Sequence, residues 1–245
     1  MTTTDPLHTD ETPLDPTDGS TPPSDPRRWV VLAVVCLAVF VTVLDGTIVN
    51  VALPSLAVEL GASTRQLQWI VDAYLLVFTG LLLAAGGLGD KFGRKRMLIA
   101  GLIVFGATSA FAGSVDSSGA LIIGRALMGI GAAMIFPATL AILTNVFHDA
   151  GERAKAIGIW SAVSGMAVAA GPITGGWLLE NFWWGSVFFI NVPIAIVVAV
   201  VAWRIVPESR EHDAPPLDRA GALLSIGAIT ALVFTIIEAP ERGWL

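Results

Sequence analysis

Long apolar runs, each close to the length of a membrane-spanning helix, fill most of this sequence of 245 residues. A helix needs about 20 apolar residues to cross the hydrocarbon of a bilayer. The composition agrees, with 54% hydrophobic residues, 14% charged residues and a mean hydropathy of +0.74, well away from soluble averages. We therefore predict an all-α membrane protein with seven spans, at residues 29–53, 66–88, 97–113, 120–143, 156–179, 185–206 and 220–237.

Four segments of different composition divide the chain. Residues 1–28 are rich in Pro, Thr and Asp and have little to bury, which predicts a disordered acidic tail on the cytoplasmic side. Residues 29–206 form the predicted six-helix transmembrane bundle, 207–219 a cytoplasmic connector, and 220–245 a seventh transmembrane helix with its outer end. The net charge of −6 argues against nucleic acid or anionic lipid as a partner of the tail.

Lys and Arg are distributed unevenly among the segments that join the predicted spans. With the amino terminus in the cytoplasm, 11 of the 14 Lys and Arg residues fall in cytoplasmic segments, two fall outside, and Arg125 lies within the fourth span. Cytoplasmic segments of membrane proteins carry an excess of Lys and Arg. We therefore expect a multi-pass protein of the cell membrane with a cytoplasmic amino terminus and, after seven spans, an external carboxyl terminus.

Three ionisable residues lie within the predicted spans at a similar depth. Asp45, Asp72 and Arg125 are each about 5–8 residues from the outer end of a span, roughly 8–12 Å below the outer surface at about 1.5 Å per residue. Charged side chains are costly within hydrocarbon, which makes each of them a candidate functional residue. If the three share a cavity, Arg125 neutralises one carboxylate and leaves the other as a proton-exchanging group.

Two interpretations of these residues remain open. In the first, Asp45 couples transport to protons or another cation, and Gln68, Asp72 and Thr79 form a stripe of the second span that faces the same cavity. In the second, Asp45 and Arg125 form a structural pair, while Asp72, close to the interface, is wetted from outside. The first interpretation predicts that Asp45→Asn abolishes proton-coupled transport and leaves the protein in the membrane.

Small residues line one face of the fifth predicted span. Pro172 lies within this span, removes one backbone hydrogen bond and is expected to kink the helix. A face of small residues lets another helix approach closely. Either static packing explains this seam or, together with the kink, it marks an interface that moves. The residues of the seam, which recur at steps of three and four, are Ser161, Ser164, Ala167, Gly171 and Gly175.

Residue types that would support an enzyme are missing from the predicted spans. All three histidines, His8, His148 and His212, lie outside them, and Cys36 stands alone in an apolar run. No Gly-rich phosphate loop with a Lys-Ser or Lys-Thr pair marks a nucleotide-driven pump. The sequence therefore predicts neither a catalytic residue, a metal site nor a cofactor.

The charged stretch from Gly86 to Leu98 is interpreted as a short turn between two spans, and it resembles a signature of the major facilitator superfamily. That signature, G-x-L-x-D-R-x-G-R-[RK], lies between helices two and three of the family. Lys91 replaces its usual Arg and keeps the charge. The resemblance implies a cytoplasmic gate in which Asp90 and Arg94 hold two bundles together. The matching residues are Gly86, Leu88, Asp90, Lys91, Gly93, Arg94 and Lys95.

Three further motifs narrow the resemblance to the fourteen-spanner drug/proton antiporters. Residues 44–54 are similar to the first-helix motif of that branch. Residues 124–131 resemble the fourth-helix motif, whose Arg, here Arg125, implies a role in proton coupling. The fifth predicted span resembles the fifth-helix antiporter motif, although Ala167 stands where the motif usually has its second Gly. The matching residues are Gly158, Gly171, Pro172, Gly175 and Gly176.

The resemblance implies a proton-coupled antiporter that exports hydrophobic or cationic compounds by alternating access between two six-helix bundles, each built from inverted three-helix repeats. One bundle and one extra helix fit within this length, so we expect the amino-terminal half of a longer protein. Its implied partners are the lipid bilayer, protons, a small hydrophobic or cationic substrate, and a missing carboxyl-terminal bundle or a second chain. The alternative is a non-transporting truncated membrane protein or interaction partner.

Overall fold

The computed structural model describes residues 26–211 and a few isolated helical positions between 221 and 235. Within this part of the chain every regular element is a helix, as predicted for an all-α protein. Six helical segments are long and apolar enough to cross a membrane. The helices are α1 (Arg28–Glu59), α2 (Thr64–Phe92), α3 (Arg94–Ala112), α4 (Ser118–Val146), α5 (Ala150–Asn181), and the short α6 (Ser186–Phe189) followed by α7 (Asn191–Ile205), which together make the sixth span.

Polar residues define where three of these helices begin. Ser63 forms a capping box with Gln66, because the Gln66 N–H donates to the Ser63 hydroxyl and the Ser63 N–H donates to the Gln66 side chain. Ser117 accepts from the N–H of Ala120 at the start of α4. Asp149 accepts from the N–H of Glu152 at the start of α5. Each contact satisfies a helix-terminal donor that lacks a partner within the helix.

The first span is longer than predicted. The predicted end at Pro54 is wrong, since α1 continues through this proline to Glu59. Proline lacks the N–H that would bond to the fourth preceding carbonyl, but that single loss does not end a helix whose next turn is held by other contacts. Here Leu56 is fully buried, and its carbonyl accepts from the N–H of Leu60.

The helices pack as two interlocked sets of three. α1 packs chiefly against α5, and α4 packs chiefly against α2 and α3, while α3 also contacts α7. α2 of the first three helices packs on α4, and α5 of the last three packs on α1. This crossed packing is the arrangement expected of two related three-helix repeats. α1 and α4 therefore lie at the centre of the bundle, and α2 and α5 are the least buried spans.

One end of the bundle gathers the starts of α1, α3 and α5 with the ends of α2, α4 and α7. Arg28 at the start of α1 forms an ion pair of 3.0 Å with Glu152 of α5, and Trp29 contacts Phe147 at the end of α4. The Arg94 N–H at the start of α3 donates to the carbonyl of Ser209, just beyond α7. The charged segments that were assigned to the cytoplasm therefore lie together.

Three predictions fall wholly or mainly on residues outside the described part of the chain. These are the disordered tail, 1–28, of which only 26–28 are described, the distal half of the connector, 207–219, and the seventh span at 220–237.

Candidate functional site

The centre of the bundle holds a buried ion pair between α1 and α4. Arg125 Nη1 donates to Asp45 Oδ2 at 2.5 Å, and both side chains are 0% exposed. The two residues are separated by 80 positions in the sequence, so their contact depends on the packing of α1 against α4. Two of the three charged residues predicted to share a cavity are thus brought together.

Groups from α2 hold the guanidinium of Arg125 in place. Its Nε donates to the backbone carbonyl of Ile70 at 3.0 Å, and its central carbon lies 4.4 Å from the centre of the Tyr74 ring. The Tyr74 hydroxyl donates to the carbonyl of Thr42 at 2.8 Å, which ties α2 to α1. A desolvated cation is stabilised by acceptors and aromatic faces of this kind.

Asn191 of the sixth span is a member of the site that the sequence reasoning missed. Its Nδ2 donates to Asp45 Oδ1 at 2.8 Å and to the Ser109 hydroxyl oxygen at 3.0 Å. Ser109 in turn donates to the carbonyl of Phe188 at 2.8 Å. Asn191 and Ser109 are both fully buried. An uncharged but strongly polar Asn within the apolar run 186–205 was the available signal, and a search restricted to charged residues overlooks it.

Asp72 lies outside this cluster. Ile70 and Tyr74 are four residues apart on the face of α2 that meets Arg125, whereas Asp72 falls midway between them and points to the opposite side of the helix at about 100° per residue. Asp72 is half-buried, and Gln68 and Thr79 of the same predicted stripe are exposed. The stripe therefore occupies the open face of α2, and the assignment of Asp72 as a second acid remains a prediction.

A cavity of about 300 Å³ lies beside the ion pair, between α1, α2 and α4. The Tyr74 ring separates the two, since it contacts Arg125 and also lines the cavity. Two further rings, Phe78 and Phe136, line the wall and meet edge to face, with 5.7 Å between their ring centres. The other lining residues are Thr42, Val43, Gly46, Thr47 and Leu75. The arrangement joins an aromatic surface to a buried charge through one side chain.

The predicted charged turn from Gly86 to Leu98 is mostly helical, which corrects the earlier interpretation. α2 continues to Phe92, α3 begins at Arg94, and Gly93 alone breaks the helix with a φ of 112°. Asp90 and Arg94 pair with each other, since Arg94 Nε and Nη2 donate to Asp90 Oδ1 at 3.0 and 2.9 Å. Gly86 at the other end of the motif lies near Pro137 of α4, and Lys95 lies in the first turn of α3.

The first residues of the connector, 207–211, run back along this charged stretch. The carboxylate of Glu208 accepts from the Lys95 N–H at 3.2 Å and lies 3.5 Å from Arg96. The carbonyl of Ser209 accepts from the Arg94 N–H, and the Glu211 N–H donates to the carbonyl of Asp90. The connector thus caps the start of α3 and the end of α2, and a carboxylate at a helix start is favoured by the helix dipole.

Gly171 and Gly175 of the small-residue seam pack against α1 of the same bundle, whereas Ser161 at the other end of the seam is exposed. A Cβ on Gly171 would lie within contact distance of Thr47 and of the backbone of Ile48, and one on Gly175 would lie 3.0 Å from Ile48. Pro172 and Gly176 belong to other faces of α5: Pro172 is exposed, and a Cβ on Gly176 would meet nothing within 4 Å. Half of the predicted helix-five motif therefore serves packing inside the bundle, and half faces outward.

Within residues 26–211 and the isolated described positions that follow, no group of three or more His, Cys, Asp or Glu side chains is placed to hold a metal ion.

Comparison of the sequence with known families finds one match. The family model described as Major Facilitator Superfamily matches residues 35–240. The chain is 42% identical to the puromycin resistance protein of Streptomyces alboniger over 221 residues, which cover 90% of the chain and 44% of that relative. It is 41% identical to a multidrug efflux pump of Mycolicibacterium smegmatis over 224 residues, covering 91% of the chain and 44% of the pump.

A third relative extends the same pattern. The methyl viologen resistance protein of Salmonella typhimurium is 43% identical over 209 residues, 85% of the chain and 42% of the relative. The chain thus spans less than half the length of these curated relatives.

Among solved structures, a peptide transporter in complex with sulfate superimposes with a TM-score of 0.66 at 17% identity, covering 90% of this chain and 47% of that one. A bacterial homolog of the human lysosomal transporter Spinster gives a TM-score of 0.61 at 21% identity, covering 77% and 47%.

Proposed function

This chain belongs to the Major Facilitator Superfamily, and we propose that it is the amino-terminal half of a proton-coupled antiporter. The whole protein would export hydrophobic or cationic compounds by alternating access. The observation that carries the proposal is the fully buried Asp45–Arg125 pair beside an aromatic cavity. The family and the relatives are transporters, and we infer that this chain is not an enzyme.

The proposed proton coupling is supported by the isolation of Asp45 from water. A carboxylate removed from water is stabilised only by its ion pair and hydrogen bonds, so binding of a proton weakens the attraction to Arg125 at once. In a two-state transporter that loss biases the balance between conformations, because α1 and α4 are tied together by the pair. Asp72, on the open face of α2, is the second candidate for a proton-carrying acid.

Substrate class is inferred from the cavity wall. Tyr74, Phe78 and Phe136 offer ring faces and edges to an apolar or cationic molecule, since an aromatic face attracts cations. Thr42 and Thr47 supply the wall with hydroxyl groups, although both also donate to carbonyls of their own helix. This composition suits planar, lipophilic cations and neutral apolar compounds better than anions.

The half-transporter assignment is supported by what remains uncovered on α2 and α5. Leu83 of α2 is 78% exposed and Ile173 of α5 is 74% exposed. Gly158, Gly165 and Gly176 of α5 would each admit a Cβ without meeting any atom within 4 Å. Small and apolar residues on one helix allow a second helix to approach closely. We propose that a second six-helix bundle, on the same or another chain, covers these faces within the lipid bilayer.

The cations gathered at one end of the bundle support the proposed orientation. Arg28, Lys91, Arg94 and Lys155 lie with the starts of α1, α3 and α5 and the ends of α2, α4 and α7. By the excess of Lys and Arg on the cytoplasmic side we assign this end to the cytoplasm of a cell membrane.

The second candidate is a non-transporting membrane protein. The observation in its favour is that the chain spans 42–44% of the length of the curated relatives. Translating the DNA downstream of Leu245 separates the two most cheaply. A continuing frame with six or more further spans supports the antiporter, and an immediate stop supports the alternative.

The functional test uses inverted membrane vesicles that carry the chain with any continuing frame. An acid interior should drive accumulation of methyl viologen, and collapse of the pH gradient should stop it. Asp45→Asn should abolish the gradient-driven part, since it keeps the size of the side chain and removes its charge. Asp116→Asn, in the exposed segment between α3 and α4, is the matched control and should transport normally. Equal transport by Asp45→Asn and Asp116→Asn would exclude Asp45 as the coupling residue.

A further inference from the structure

We propose that Asn191 is a positioning residue that holds Asp45 in its ionised form and reports protonation of Asp45 to the sixth span. The inference rests on the proposed role of Asp45 in proton coupling. It names a residue that is neither charged nor part of any motif identified in the sequence, and it follows from the direction of three consecutive hydrogen bonds.

The orientation of the Asn191 amide is determined by its neighbours. Ser109 has one hydroxyl hydrogen, which it donates to the carbonyl of Phe188 at 2.8 Å. The Ser109 oxygen therefore accepts from Asn191, which requires the nitrogen Nδ2 on that side of the amide. The same Nδ2 donates its second hydrogen to Asp45 Oδ1 at 2.8 Å. A reversed amide would place Oδ1 of Asn191 against two acceptor oxygens.

Both oxygens of Asp45 consequently receive a donor. Asn191 occupies Oδ1, and Arg125 occupies Oδ2. Donors on a carboxylate favour the charged form over the protonated form. A proton that binds Asp45 weakens the attraction of its oxygens for both donors, and the two donors are not equally easy to displace. Arg125 is also held by the carbonyl of Ile70 and by the Tyr74 ring.

Asn191 can exchange its role when Asp45 is protonated on Oδ1. Its own Oδ1 has no hydrogen-bond partner among the described residues, so a reversed amide brings an unused acceptor to the new Asp45 O–H. The Ser109 hydroxyl then rotates away from the carbonyl of Phe188 and donates to the same Asn191 oxygen. One O–H bond forms on Asp45, and only hydrogen bonds are exchanged elsewhere.

Loss of the hydrogen bond between Ser109 and the Phe188 carbonyl affects the start of the sixth span. Phe188 is in the last turn of α6, Ile190 separates the two helices, and Asn191 begins α7. In the ionised state Ser109 of α3 ties down the Phe188 carbonyl, and in the protonated state that tie is released. Protonation of one carboxylate on α1 is thereby communicated to the first turns of the sixth span, where the backbone of Ile190 remains helical.

The other groups that face Asp45 leave this role to Asn191. Arg125 is the charged partner from α4, and Tyr74 from α2 is the titratable neighbour, with its hydroxyl engaged by Thr42. α3 contributes Ser109 through Asn191. α5 approaches the neighbouring turn of α1 with Gly171, which carries no side chain. Asp72 is directed to the far side of α2, as described above.

The test follows the infrared C=O stretch of protonated Asp45 in the lipid-reconstituted full chain as pH is varied. The band is assigned by its loss in Asp45→Asn. Asn191→Leu, which is similar in size and removes both donors, should move the midpoint of the band to higher pH by about one to two units, the worth of a hydrogen bond to a charged group. Ser109→Ala should move it in the same direction by less, because it frees the amide and leaves the donor in place.

Asn181→Leu provides the matched control, since Asn181 is exposed at the end of α5 and donates only to the carbonyl of Trp177. It should leave the midpoint unchanged. An Asn191→Leu midpoint equal to that of the wild type would overturn the proposal. If that variant does not fold, an unshifted Ser109→Ala midpoint overturns it equally. The measurement requires no transport, so a chain that fails to export methyl viologen but shows the shifted midpoints contradicts the proposed function and retains this inference.

Discussion

Two Asp–Arg pairs in this protein have nearly the same chemistry and very different surroundings. Asp45 and Arg125 come from α1 and α4, 80 positions apart, and both side chains are 0% exposed. Asp90 and Arg94 are four residues apart at the junction of α2 and α3, and their side chains are 40% and 16% exposed. The first pair depends on the tertiary fold and the second on local sequence.

Burial, and not the ion pair itself, determines how each pair responds to a change of charge. Water and salt screen an exposed pair, so its contribution to stability is small and its protonation has little effect on the fold. A buried pair cannot be relieved by solvent, so loss of either charge leaves the other unsatisfied. The chain therefore combines a buried pair in which each charge depends on the other with a junction that is held by several weak contacts.

The largest loss of stability is expected when one member of the buried pair is removed. Arg125→Leu should lower the free energy of unfolding by about 3–5 kcal/mol, because Asp45 remains buried without its cation. The double variant Asp45→Leu/Arg125→Leu should regain a large part of that loss. Unfolding by heat or by detergent titration of the lipid-reconstituted chain measures both. A double variant less stable than either single variant would show that the pair itself stabilises the fold.

The junction is most sensitive at Gly93, whose φ of 112° disfavours any side chain and whose Cβ would lie 2.5 Å from Glu208 Oε1. Gly93→Ala should cost about 1–3 kcal/mol through strain and displacement of the connector. Gly61→Ala is the matched control, since Gly61 also has a positive φ, 60°, but a Cβ there meets nothing within 4 Å. The difference between the two variants in the same unfolding assay measures the contact with Glu208 together with the greater backbone strain at a φ of 112°, and equal costs would contradict both.

The charge of Glu208 should matter less than the shape of the junction. Glu208→Gln keeps the size of the side chain but weakens its interaction with the Lys95 N–H and Arg96, so we expect a loss of about 0.5–1 kcal/mol that shrinks at high salt. Glu211→Gln is the control, because Glu211 contacts the junction through its backbone N–H. A larger effect from Glu211→Gln would mean that the connector is held by charge at a different residue.

The smallest effect is expected from the exposed pair. Arg94→Gln should change the free energy of unfolding by about 0.2–1 kcal/mol, and the change should vanish near 1 M salt, where the screening length is about 3 Å. The cost of Arg125→Leu should persist at the same salt concentration. Equal salt dependence of the two variants would remove the distinction between the pairs.

The first six predicted spans correspond to helices long and apolar enough to cross a membrane, because hydrocarbon sets a length that apolar runs must match. The prediction failed at their ends for local reasons. A proline costs one hydrogen bond and does not by itself end a helix, so α1 continues past Pro54 to Glu59. Charged residues likewise do not end a helix that has left the apolar layer, so α2 continues to Phe92, and only the left-handed Gly93 separates it from α3.

The candidate site was predicted in part because sequence gives the depth of a residue more readily than its direction. Depth alone grouped Asp45, Asp72 and Arg125. The packing of Ile70 and Tyr74 against Arg125 then places Asp72 on the other side of α2. Asn191 was missed for the opposite reason, since it carries no charge and its importance arises from contacts with Asp45 and Ser109 on other helices.

Exchange of a proton against substrate at the buried Asp45 can be measured by counting protons. At a pH below the midpoint of the Asp45 C=O band, where Asp45 carries a proton, methyl viologen added to the purified protein in weakly buffered solution should release about one proton per bound cation, because two ligands that compete through one site are reciprocally linked. We expect the same release from Asp90→Asn and none from Asp45→Asn. Undiminished proton release from Asp45→Asn, with methyl viologen still bound, would contradict this exchange.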